Sequence, residues 1–199
     1  MFLVLLMIFD PEGGWGRAVE SARSTRRVLW LHLFPLLLIG CVAEGYGMMR
    51  WGKRAGPFGT LRNFNLPEVV AYELCQFTIG LGVVLLGAFV LRRLSNTFHA
   101  RQKFTPALAV CSFGLGPIFL MRMCDAFPTV FPWVPWLIGA GLTMGILYQG
   151  IPRLMNLDPA HALGVYMSSM LVMVLASGIG RLLVIHFLQQ RVLGLHSIV

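Results

Sequence analysis

The chain has 199 residues and a formal net charge of +8, with 57% of its residues hydrophobic and 12% charged. That balance excludes a soluble globular domain, because a buried apolar helix in water needs a surrounding layer of polar helices that this composition cannot supply. It also excludes nucleic acid as a partner, since no soluble element carries a basic face with interleaved aromatics, and the length leaves room for one helical bundle.

In chain order, Met1 to Phe9 is apolar but has no basic flank and runs into Asp10-Pro11-Glu12, where a cleavable leader would need small residues. The segment is therefore expected to stay and to dip into the membrane interface. Asp10 is placed to cap a helix whose first residue is Pro11. Trp15, Ala18, Val19 and Ala22 then share one face, and Arg17, Glu20, Ser21 and Ser24 the other. This pattern predicts an amphipathic interfacial helix within an amino-terminal segment, residues 1–27, closed by Arg23, Arg26 and Arg27.

Residues 28–199 read as an all-α, polytopic membrane bundle of five transmembrane helices. A run of roughly 20 apolar residues at about 1.5 Å each matches a hydrocarbon core about 30 Å thick. The spans are expected at about 28–46, with His32 and Pro35 in the entering half, then 66–94, 105–124, 133–151 and 160–190. The loop from Arg50 to Pro67 carries turn signals at Gly56-Pro57 and Gly59. Gly114, Gly116 and Pro117 interrupt the third span, so the backbone bond that proline removes must be repaired by neighbours, and that face is expected to pack inward. Gly141 and Gly145 in the fourth span have the spacing that lets two helices approach closely. Asp158 is placed to cap the fifth, with Pro159 following. Cys41, Cys75, Cys111 and Cys124 fall in or at the ends of spans, with no CxxC pair and no histidine at ligand spacing. They read as core residues, and no metal or other cofactor is expected.

Basic residues set the expected orientation. With the amino terminus inside, the inner segments hold Arg17, Arg23, Arg26, Arg27, Arg92, Arg93, Arg101, Lys103 and Arg153. The outer ones hold Arg50, Lys53, Arg54, Arg62, Arg122 and Arg191. Nine against six favours an amino terminus in the cytoplasm and a carboxyl terminus outside.

The run Leu147-Tyr148-Gln149-Gly150-Ile151-Pro152-Arg153-Leu154-Met155-Asn156, which joins the last two spans, resembles the Yip family (Ypt/Rab-interacting membrane proteins) in its small bacterial inner-membrane branch. Tyr148, Gly150 and Pro152 form the most specific part. Thr105-Pro106 through Gly116-Pro117 is similar to the family's other recurrent stretch. The resemblance implies five spans with the amino terminus in the cytoplasm, in the cell's inner membrane. Eukaryotic members bind prenylated Rab-type GTPases through a region that includes a long polar amino-terminal part, for which this sequence shows no counterpart. Bacterial members are described as transporters at most, and the family supplies no catalytic residue.

An ionisable side chain at membrane depth costs about 2.5–3.5 kcal/mol on insertion scales, so each one calls for a partner or a wet cavity. Glu73 and Arg181 are expected to pair, with Gln76, His186, Arg122 and Asp125 extending an outer polar cluster. Such a cluster serves either as a transport site or as a structural ion pair that fixes helix packing. An inner group comprises His32, Arg153, Asn156, Asp158 and His161, in which Asp158 is foremost a helix cap and Arg153 a headgroup contact. No catalytic motif is present, so the expected role is a non-enzymatic scaffold or membrane organiser. The alternative is a small oligomeric transporter or channel-like protein. Its partners are expected to be membrane lipids and a membrane protein or second copy of the chain.

Overall fold

The computed structural model describes residues 2–21, 24–55, 60–97, 103–155 and 159–194, with backbone alone at 2, 11–12, 20–21, 55, 159–162 and 187–194. Two short helices, α1 (Phe2–Phe9) and α2 (Pro11–Ser21), precede five helices long and apolar enough to cross a membrane. These spans run Thr25–Arg50, Leu66–Thr97, Phe104–Ala126, Trp133–Met155 and Leu163–His186, the last within a helix that covers Pro159–Gly194. The fold is all-α, and among the described residues the one sheet is a small hairpin between the first two spans. There β1 (Lys53–Ala55) pairs antiparallel with β2 (Thr60–Arg62), Lys53 opposite Arg62.

The helix starts follow local chemistry. Asp10 Oδ1 accepts the Gly13 amide at 3.1 Å, which caps α2. Before the second span Glu68 reaches back to the Asn65 amide at 3.1 Å, the reciprocal half of a capping box. Prolines 67, 106, 117, 135 and 159 each fall within the first three positions of a helical segment, where their missing amide has no bond to lose. The first span passes from an α-helical turn, Thr25–Val28, into a π-helical stretch, Leu29–Leu33, before Pro35.

The third span is the axis of the bundle. Of its apolar window 78% is buried, against 22–50% in the other four, and every residue from Ala107 to Phe119 is buried. It breaks at Leu115 into Phe104–Gly114 and Gly116–Met121, then tightens into a 3-10 turn at Arg122–Ala126. A glycine–proline interruption is tolerable here because protein, not lipid, surrounds it on all sides. Close approach is made by Gly47 of the first span, where a Cβ would collide with the Ala126 backbone.

Two expectations are corrected by this packing. Gly141 and Gly145 face open space, with nothing within 4 Å of a Cβ built on either, because the fourth span turns Gly139 toward Ile118 and Gly150 toward α2 instead. Trp15 does not rest on the membrane surface. It is fully buried, its indole N–H donating to the Ile146 carbonyl at 3.2 Å and its ring meeting Phe113 edge-on at 6.3 Å. Val4 of α1 lies against Gly116, so the amino-terminal helices pack into the bundle and leave Phe9 and Val19 exposed. In lipid an amphipathic helix gains little by exchanging one apolar environment for another, so shape and the indole hydrogen bond decide where α2 sits.

Candidate functional site: a buried ion network at the hairpin end

Because successive spans are antiparallel, the end of the first, the start of the second, the end of the third and the end of the fifth meet beside the hairpin. Each brings an ionisable residue within about two turns of its terminus. Glu44, fully buried on the first span, is the hub. It accepts from Lys53 Nζ, from Gln76 Nε2 at 2.7 Å, from the Tyr72 hydroxyl at 3.2 Å, and from Arg122 through Nε at 3.3 Å and Nη2 at 3.2 Å. Arg122 Nη2 also donates to Glu73 Oε2 at 3.0 Å. One turn on, Asp125 Oδ1 accepts from Arg181 Nη2 at 2.9 Å, and the same guanidinium donates to the Pro132 carbonyl.

The network thus holds three carboxylates, Glu44, Glu73 and Asp125, and three cations, Lys53, Arg122 and Arg181, for a net charge of zero. Lys53 enters from the hairpin and stands over the Tyr72 ring, 5.1 Å from its centroid. Burial alone would lower its ammonium, but the Glu44 carboxylate, with Tyr72 and Asp125 adding to it, holds Lys53 well above the ordinary lysine range. Charges are admitted here only because each is matched and hydrogen-bonded; an unmatched one would cost several kcal/mol. Below the network lies a cavity of about 50 Å³ whose wall includes Gln76, Arg122, Asp125, Trp136, Ser177 and Arg181. That is room for a few waters.

The structure unites Glu73, Gln76, Arg122, Asp125 and Arg181 but re-pairs them. The expected Glu73–Arg181 ion pair does not form: Glu73 is held by Arg122 and Arg181 by Asp125. Helix register is the cause. Gly180 lies against Ile79, six residues along the second span from Glu73, which is about 9 Å of rise. The central third span carries both nearer partners. His186 is exposed on the fifth span. Two charged members, and the Tyr72 hydroxyl between them, lie outside the expected cluster. Glu44 falls inside the expected first span, and its position as a lone acid there was the available signal. Lys53 is brought in only by the hairpin, which loop composition does not reveal.

Of the inner group, His32 and Arg153 are the two members whose side chains the structure describes. His32 is buried against the Phe113 ring, centroids 4.2 Å apart, with its Nε2 lacking a hydrogen-bond partner, whereas Arg153 is exposed. Asn156, Asp158 and the His161 side chain lie outside the described residues. In the recurrent run, Tyr148 is exposed and meets Tyr166 edge-on at 5.3 Å, Gly150 makes room for Trp15, and Pro152 is exposed three residues before the helix end.

Five successively antiparallel spans, the third buried among the other four and tied to three of them by a charge-balanced network, define a polytopic helical membrane protein. Residues 5–180 match the Yip1 domain. The chain belongs to the Yip1 family of membrane proteins. No curated protein and no solved structure was found to match it.

Proposed function

We propose that this chain is a non-enzymatic membrane-organising protein, a scaffold whose intramembrane charges hold its own helices rather than a solute. The observation that carries the reading is the closure of the network: each of its three carboxylates has a guanidinium nitrogen within 3.2 Å. Paired in this way, they join three spans to the central third one and leave the partner-facing surface apolar. Its partners are the surrounding lipids and a membrane protein or second copy that packs laterally. The same reading takes the chain to reside in the cytoplasmic (inner) membrane of a bacterial cell, amino terminus inside and carboxyl terminus outside, supported by the distribution of basic residues.

A second reading, an oligomeric transporter, is favoured by the cavity beside Arg122, Asp125 and Arg181. Reconstitution into sealed vesicles separates the two. The scaffold reading expects proton and small-ion leakage at the level of empty vesicles, together with a vesicle size distribution that shifts with protein-to-lipid ratio. A saturable flux abolished by Asp125→Asn in protein that remains folded would replace it with the transporter reading.

A further inference from the structure

We propose that the cleft between the hairpin and the fifth span binds the phosphate of an anionic lipid headgroup. Besides Pro132, the cleft is walled by Lys53, Arg54, Tyr72, Arg181, Val184 and Ile185. Three of these are cations, one is a phenol and two are aliphatic; among the described residues the wall carries no carboxylate.

Charge counting gives the reason. The six charges of the network cancel, and Arg54, next to Lys53 on β1, adds a seventh. Its side chain is exposed and has no hydrogen-bond or ion-pair partner among the described residues. One positive charge is therefore left over beside a hydrocarbon-facing helix, and a phosphodiester monoanion is the complement that also belongs at that depth. Donors remain to receive it. Arg181 commits its Nη2 to Asp125 and Pro132 and lends the cleft its charge, while the exposed Arg54 guanidinium supplies donors. Lys53 has three donors and uses two, on Glu44 and Tyr72.

The surroundings fit a lipid rather than a free ion. Val184 and Ile185 continue into Leu182 and Leu183, exposed at 54% and 56%, which give an acyl chain a surface along the fifth span. On the other side of Lys53 and Arg54 a hollow of about 80 Å³, with Thr129 and Phe131 on its wall, takes the rest of a headgroup; Asp125, also on that wall, is already held by Arg181. Inorganic phosphate shares the charge but has no use for the aliphatic wall. The inference stands whether the protein scaffolds or transports.

The test follows the full chain in a mild neutral detergent by thermal unfolding and native mass spectrometry, with phosphatidylglycerol, phosphatidylcholine or inorganic phosphate added. Phosphatidylglycerol is expected to raise the unfolding midpoint and leave one lipid bound, while phosphatidylcholine and inorganic phosphate do neither. Arg54→Gln is expected to weaken phosphatidylglycerol binding at least about tenfold, the loss of one charge-assisted hydrogen bond. Its lipid-free midpoint stays at the wild-type value, because Arg54 supports nothing in the bundle. Arg54→Lys retains most of the binding, and Arg50→Gln, at an exposed site at the end of the first span, retains all of it. Wild-type binding by Arg54→Gln, or an equal response to phosphatidylcholine, overturns the proposal. A response to inorganic phosphate as large as that to lipid overturns the lipid assignment.

Discussion

At the hairpin end the bundle is joined by ion pairs: Arg122 alone ties the third span to the first and second, and Asp125 ties it to the fifth. At the amino-terminal end the joint is an aromatic ring set into a backbone, Trp15 over Gly150, with Phe113 and one indole hydrogen bond around it. The first joint is all-or-none, because deleting one charge strands its partners in a medium that cannot solvate them. The second is graded, because packing between apolar surfaces in lipid depends on how much volume is added or removed. Ion pairs therefore decide which helices are neighbours, while ring packing decides how closely the amino-terminal helices follow them.

The sharpest way to break the contrast is Arg122→Leu, which leaves Glu44 and Glu73 short of their shared cation. A loss of about 3–5 kcal/mol is expected in a reversible unfolding assay in detergent. A double-mutant cycle should give Glu73 and Arg122 a coupling of about 1–3 kcal/mol, while Glu73 and Arg181, which do not pair, couple by less than about 0.5 kcal/mol. If the second coupling matched the first, the register derived from Gly180 and Ile79 would be wrong.

At the other joint the expected effects are smaller and scale with volume. Gly150→Ala pushes a methyl into the Trp15 ring and should cost about 1–3 kcal/mol, with a change in Trp15 fluorescence that reports its displacement. Gly141→Ala in the same helix has open space before it and should be neutral, or stabilising by up to about 1 kcal/mol through helix propensity. Equal costs for the two alanines in the same unfolding assay would mean that the spaced glycines, not Gly150, form the contact.

The network also shows why composition is a partial guide. His32 is as deeply buried as the members of the network but has an aromatic neighbour instead of an ionic one. An intramembrane ionisable residue thus announces that something must accommodate it, without saying what.

By itself the sequence determined the number of spans, the capping of α2 by Asp10 and the existence of a polar cluster on the second, third and fifth spans, since hydropathy, capping chemistry and the cost of a buried charge are properties of short segments. Only the tertiary structure decided that Glu73 pairs with Arg122, that Glu44 and Lys53 complete the charge balance, that the third span is the axis, and that Gly150 rather than Gly141 is the packing glycine. Those outcomes depend on the rotation and vertical offset of each helix against its neighbours. A one-dimensional pattern leaves both undetermined, because every face of a span is apolar enough to meet either lipid or protein.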